Sequence, residues 1–204
     1  MNRRRHVLSG MLLAALFIGS PAVARYPTQH FTLRQSCALP RPEQAALTLG
    51  NAQATVDFSP GGGGEQLILG AIATAHESIR VQAYSFSDRR IQRALGQAKA
   101  RGVDVQVILD KSDAESYEHH KPVAEVIAAA GIPVWIDSSV RIAHNKVMII
   151  DGHDVITGSY NFTYAAAYDN AENLLYIQNA PALAQAYTAN FDWRQSCSRR
   201  YASY

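Results

Sequence analysis

The chain has 204 residues, 48% of them hydrophobic and 18% charged, which suffices for one globular domain with a full core and is too short for two comfortable ones. Three of its 19 basic residues and none of its 17 acidic ones fall in the first 24 positions, leaving 16 against 17. The remainder is near neutral, at −1, so overall basicity is excluded as evidence for a nucleic-acid partner and any attraction to polyanions must come from a local patch.

Arg3, Arg4 and Arg5 precede the apolar run Val7 to Ile18, and Ala22-Val23-Ala24 supplies the small residues a signal peptidase requires. This pattern predicts an export signal over residues 1–24, cleaved after Ala24, with an uncleaved amphipathic anchor as the alternative. The apolar run is short for a membrane span. The mature chain is therefore expected in the periplasm or secreted, with no stable membrane anchor. Residues 25–50, with Pro27, Pro40 and Pro42 and little periodicity, read as an extended N-terminal arm, and residues 51–204 as the catalytic domain.

Within that domain strands and helices alternate. The patterning predicts a strand over Ala54 to Phe58, a helix over Gln66 to Ala75, a strand over Ser78 to Ser85, a helix over Arg89 to Arg101 and a strand over Val103 to Leu109. Gly102 sits where the helix should stop and the strand begin. A helix near Pro122 to Ala130, ended by Gly131, leads to a short strand Pro133 to Ile136. Lys146 to Asp151 and Val155 to Thr157 make a hairpin around Gly152-His153-Asp154; Glu172 to Gln178 is another strand and Ala182 to Arg194 the last helix. The alternation makes an α/β fold, a mixed β-sheet flanked by helices.

Cys37 and Cys197 would both enter an oxidising compartment on export, so an intrachain disulfide is expected, with interchain pairing or free thiols as alternatives. The run Gly61 to Gly64 lacks the Gly-Lys-Ser/Thr ending of a P-loop; it reads as a flexible loop near the cleft, and no nucleotide cofactor is implied. Glu115, Glu118, His119, His120 and Lys121 form no convincing ligand set and read as an exposed loop or helix start, not a metal site. Arg89, Arg90, Arg93, Lys99 and Arg101 read as a solvated helix face, whereas Arg141 is better placed for a phosphate. His76 is expected to finish a helix, and His153 to sit in a turn.

The chemistry concentrates in Ala143 to Asp151 and the following Gly158-Ser159-Tyr160-Asn161: His-x-Lys, four residues, Asp, six residues, Gly-Ser-x-Asn. A neutral imidazole nitrogen of His144 can attack phosphorus. On a strand, Lys146 projects from the same face, joining nucleophile and cation. Gly158 permits close backbone approach, and Ser159 and Asn161 can donate to non-bridging oxygens as charge builds on phosphorus. Tyr160 and Phe162 bracket Asn161 and are suited either to stacking on bases or to packing beneath the loop.

These residues resemble the signature of the phospholipase D superfamily, and the chain is similar to its small bacterial branch of EDTA-resistant endonucleases with one motif per chain. Val56-Asp57-Phe58-Ser59-Pro60, Val81 to Phe86 and Val105 to Asp110 match successive strands of the phospholipase D/nuclease fold. The resemblance implies metal-independent hydrolysis through a covalent phosphohistidine, with His144 and Lys146 catalytic and Ser159 and Asn161 binding phosphoryl oxygen. Glu172 would accept a hydrogen bond from the second nitrogen of His144. Asp151 and Gly158 would be structural, Asp151 by capping backbone donors or pairing with a base.

The family reaction uses two motifs, so two chains are expected to pool theirs across a two-fold axis as a homodimer. The substrate implied is DNA, with RNA open. A phospholipase D-type hydrolase of lipid phosphodiesters is the alternative enzyme, and a non-catalytic nucleic-acid-binding protein the alternative outside catalysis.

Overall fold

A computed structural model describes residues 37–115 and 121–202; the expected export signal, residues 25–36 of the arm, and Glu118, His119 and His120 lie outside the described residues. Eight strands form one mixed sheet: β1 (Gln53–Phe58), β2 (Ser78–Ala83), β3 (Asp104–Asp110), β4 (Val134–Asp137), β5 (Lys146–Ile150), β6 (Asp154–Gly158), β7 (Asn173–Gln178) and β8 (Arg199–Arg200). Their spatial order is β1-β7-β6-β5-β2-β3-β4-β8. The pairs β2–β3 and β3–β4 are parallel, and every other pair is antiparallel.

Alternation along the central strands explains why both faces are covered. Val81, Val107, Met148, Ile150 and Ile156 face the larger core, beneath α1 (Gly63–Thr74), α2 (Arg89–Ala100), α3 (Val123–Ala129) and α4 (Tyr164–Tyr168). Ile108, Val147, Ile149 and Val155 face the other way, onto Ala184 and Phe191 of α5 (Pro181–Ser196). Burying a side chain such as Phe191, fully covered here, contributes roughly 1.5–3 kcal/mol. The strong amphipathic pattern of α2 starts at Asp88, whose carboxylate accepts from the amides of Arg90 (2.7 Å) and Ile91 (3.4 Å).

The expected elements are present with shifted ends. Helix α1 starts at Gly63 rather than at Gln66, so Gly63 and Gly64 form its first turn and are not a flexible loop. The glycine is needed for proximity: a Cβ on Gly63 would lie 2.4 Å from Oδ1 of Asp57. Strand β2 ends at Ala83, not Ser85, although the Tyr84 amide still donates to the carbonyl of Asn145 (3.0 Å), the residue before β5. Three short elements, α4, β8 and a 3-10 turn over Lys111–Ala114, are not expected from the pattern; at five, two and four residues they are below the length at which periodicity speaks.

Residues 37–50 carry no regular helix or strand. Cys37 is disulfide-bonded to Cys197, the amide of Leu39 donates to Ser196 Oγ (3.2 Å), and the Arg41 guanidinium lies 5.8 Å from the Trp193 ring centre. The arm is thus fastened to the end of α5.

Candidate active site

The register brings the chemistry to one end of the sheet. Lys146 opens β5 opposite Ala83 at the end of β2, and Gly158 closes β6 opposite Leu174 of β7, so residues 144–146, 158–161 and 170–173 meet on one rim. His144 is exposed in an irregular segment that ends where β5 begins, while Lys146 is buried at 7%. The Lys146 Nζ lies 3.1 Å from both ring nitrogens of His144 and donates to its carbonyl at 3.0 Å. Burial pushes the Lys146 ammonium below the ordinary lysine range, and the Glu172 carboxylate opposes that shift.

Tyr84 completes the setting of His144: the two rings are 4.5 Å apart and tilted by 49°, and Lys146 Nζ is 5.1 Å from the Tyr84 ring centre. Sequence reasoning placed Tyr84 on a strand and gave it no role; its position where the strand ends was the available signal.

Ser159 donates through Oγ to Glu172 Oε2 (2.6 Å) and accepts from the backbone and side-chain amides of Asn173 at 3.1 and 3.2 Å. Asn170 donates to the other Glu172 oxygen at 3.1 Å. Glu172 therefore holds Ser159 and Asn170 and does not take the expected hydrogen bond from His144 of its own chain. The Asn161 Oδ1 is buried with no hydrogen-bond partner among the described residues.

Gly158 has φ +149, and a Cβ there would meet the Asn173 carbonyl oxygen at 2.2 Å. Asn173 uses that same oxygen to accept from the amides of Ser159 (3.1 Å) and Tyr160 (3.3 Å), which fixes the turn over residues 158–161. Asp151 sits at the other end of β5, at φ 49, and accepts from the amides of His76 (2.9 Å), Glu77 (2.8 Å) and Ser78 (2.8 Å). Burial disfavours its charge, yet these three donors hold its carboxyl below the ordinary aspartate range. Asp151 caps backbone donors and is remote from the rim.

Other readings resolve similarly. Tyr160 and Phe162 are buried at 2% and 1%, and Phe162 packs edge-on against Phe86 at 5.4 Å, so both support the loop from beneath. His76 lies just past the end of α1, and His153 is in the β5–β6 turn beside Asp154. Arg90 pairs with the buried Glu65, and Arg101 donates to the carbonyls of Ile72 and Ala75; these two cations of α2 serve the fold. Among the described residues no three His, Cys, Asp or Glu side chains converge as metal ligands.

A family model described as "Cardiolipin synthase, PLD-like domain" matches residues 68–195. A protein named phospholipase D from Rickettsia bellii is 43% identical over 143 residues, covering 70% of this chain and 69% of its own. The mitochondrial cardiolipin hydrolase of Xenopus tropicalis is 28% identical over 198 residues, 96% of this chain and 80% of that one. Among solved structures, a phospholipase D family member, Nuc from Salmonella typhimurium, superposes with a TM-score of 0.69 at 40% identity, over 75% of this chain and 100% of that chain. NucT from Helicobacter pylori shares the fold, with a TM-score of 0.66 at 21% identity over 74% of this chain and all of NucT.

Proposed function

Because the chain belongs to the phospholipase D superfamily, in its single-motif branch, and is a phosphodiesterase of that superfamily, we propose that it is an exported, sequence-nonspecific endonuclease. Its substrate is DNA, and RNA carries the same reactive group. The supporting observation is the pairing of one His144–Lys146 set per chain with a likeness to Nuc that spans Nuc's full length at 40% identity.

In the first step the bare nitrogen of His144 forms a bond to phosphorus, the bond to the leaving ester oxygen breaks, and the partner's His144 gives that oxygen a proton. In the second, the same partner imidazole takes a proton from water, whose oxygen displaces His144 and regenerates both histidines. Lys146, Ser159 and Asn161 hold the phosphoryl charge in both transition states; one such donor contributes on the order of 3–4 kcal/mol. One chain supplies one histidine, so the working unit is a homodimer with its two-fold axis between the two His144 side chains. Phe58, Ile142 and Tyr164, which are 70%, 47% and 60% exposed around the rim, are suited to its seam. Phosphate contacts carry no sequence information, in keeping with nonspecific cleavage.

A second reading, hydrolysis of lipid phosphodiesters, is favoured by the name of the Rickettsia relatives and by the same exposed apolar side chains. Plasmid and single-stranded DNA offered in excess EDTA, beside phospholipid vesicles and with His144→Ala as control, separate the two. DNA cleavage that survives chelation and disappears in the variant is the expected result. Headgroup release without DNA cleavage would transfer the assignment to lipid, and DNA cleavage abolished by EDTA would overturn the metal-free mechanism.

A further inference from the structure

His144 is presented by an irregular segment, residues 138–145, that leaves β4 and enters β5. Only its last residue, Asn145, is held in ladder fashion, by the Tyr84 amide (3.0 Å), yet the nucleophile must be placed to within a fraction of an ångström. The restraint comes from two carboxylates absent from the signature. Asp110 and Asp137 are register partners at the ends of the parallel strands β3 and β4, and they are 3% and 1% exposed.

Asp137 grips the start of the segment: its Oδ1 accepts from the Ser139 amide (3.1 Å) and hydroxyl (2.7 Å). Its Oδ2 accepts from Arg194 of α5, through Nε at 2.8 Å and through Nη2, and that guanidinium also donates to Ser139 Oγ (2.9 Å). Asp110 grips the end: its Oδ2 accepts from the Ala143 amide at 2.7 Å, one residue before the nucleophile, and its Oδ1 accepts from Ser112. Lys111 spans the middle, donating to the carbonyls of Val140 (3.2 Å) and Arg141. Charge-assisted bonds in a buried setting are the strong ones, so the segment is fixed at both ends and between.

We infer that Asp110, Asp137 and Arg194 are positioning residues for the nucleophile: the buried clamp they form on residues 138–143 sets where His144 stands relative to Lys146 and to phosphorus. This rests on His144 being the nucleophile. It holds equally for DNA and lipid substrates, since it concerns the attacking group and not the ester. None of the three touches substrate. Their substitution therefore alters the rate of attack and leaves binding by Lys146, Ser159 and Asn161 in place, which separates kcat from KM.

The test is Asp110→Asn in the mature full chain, assayed with bis(p-nitrophenyl) phosphate as a small phosphodiester and with rapid quench for the phosphoenzyme. Asparagine keeps the shape but cannot accept from both Ser112 and Ala143. A displacement approaching 1 Å costs about 100-fold in rate. The expected result is a 30- to 100-fold fall in kcat and in phosphoenzyme formation, KM within twofold, at temperatures well below the variant's melting point.

Ser139→Ala removes only the hydroxyl that bridges Asp137 and Arg194, and it carries the test if Asp110→Asn does not fold; a fall of about fivefold in kcat at unchanged KM is expected. Unchanged kcat in a folded Asp110→Asn, or in Ser139→Ala when it stands alone, overturns the proposal, as does a loss confined to KM. His144→Ala run in parallel tells the two premises apart: turnover in that variant removes the nucleophile assignment itself, whereas its inactivity beside a fully active Asp110→Asn removes the clamp alone.

Discussion

Replacing Gly158 with alanine adds one methyl group at the hinge of the turn that carries Ser159 and Asn161. At φ +149 an L-residue is held in a sparsely populated region, which costs on the order of 1–3 kcal/mol. The added Cβ would also stand 2.2 Å from the Asn173 carbonyl oxygen, more than 1 Å inside ordinary contact, and that oxygen belongs to backbone. It cannot retreat freely, because it accepts from both Ser159 and Tyr160, and breaking two such bonds costs roughly another 2 kcal/mol. About 4 kcal/mol of destabilisation follows. For a domain of this size that is a fall of about 8–16 °C in melting temperature, at 2–4 °C per kcal/mol. Ser159 is the next residue and Asn161 lies three on, so the same displacement misplaces the two proposed phosphate ligands, and a fall of at least 100-fold in kcat/KM is expected. Calorimetry and a phosphodiesterase assay on the folded variant check both. A melting point within 2 °C of wild type together with full activity would show that the turn is not aimed by the Gly158–Asn173 contact.

Asp151→Asn should lower stability by about 1–3 kcal/mol at pH 7 with kcat within twofold, since its carboxylate serves three amides away from the rim. Because the folded pKa of Asp151 is depressed, its charge stabilises the fold above the ordinary aspartate value of 3.8 and the benefit disappears as pH falls through the folded value; the gap between variant and wild type should close on acidification. Asp113 has the opposite sign: burial, followed by the neighbouring Asp110 charge, raises it from 3.8 to about 7. Its contribution is complete below pH 3.8 and lost as pH rises through about 7, so Asp113→Asn should melt higher than wild type at pH 8 and lose that advantage toward pH 4. Reduction of the Cys37–Cys197 bond, which spans 160 residues, should cost about 5 kcal/mol by the chain-entropy relation, read as a shift in the denaturant midpoint between oxidised and reduced protein. A reduced protein as stable as the oxidised one would place the stabilisation elsewhere.

The central strands were legible because two-residue alternation and helical periodicity act at short range: β2, β3, β5 and β7 were placed within two residues at either end. The start of α1 was hidden, since glycine is a poor helix former and only the approach to Asp57 shows why Gly63 belongs in the first turn. The rim residues could be gathered because motif spacing constrains them along the chain. How they touch one another depends on strand order, which spacing does not encode. The resemblance implies a bond between Glu172 and His144, whereas within the described chain the Glu172 carboxylate accepts from Ser159 and Asn170. Asp110 and Asp137 stand at strand ends and Arg194 in the last turn of a helix, and nothing in their spacing along the chain links them. Only tertiary register joins the three.

The bond between Cys37 and Cys197 closes nearly the whole domain into a covalent ring. A protease that cuts one exposed turn of such a ring, for instance at Gly152-His153, releases no fragment; the two new ends remain tethered through the sheet and through the sulfurs. Rejoining stays intramolecular, at a high effective concentration of one half for the other. A single nick is then survivable damage, and a second cut is needed before any part of the rim can diffuse away.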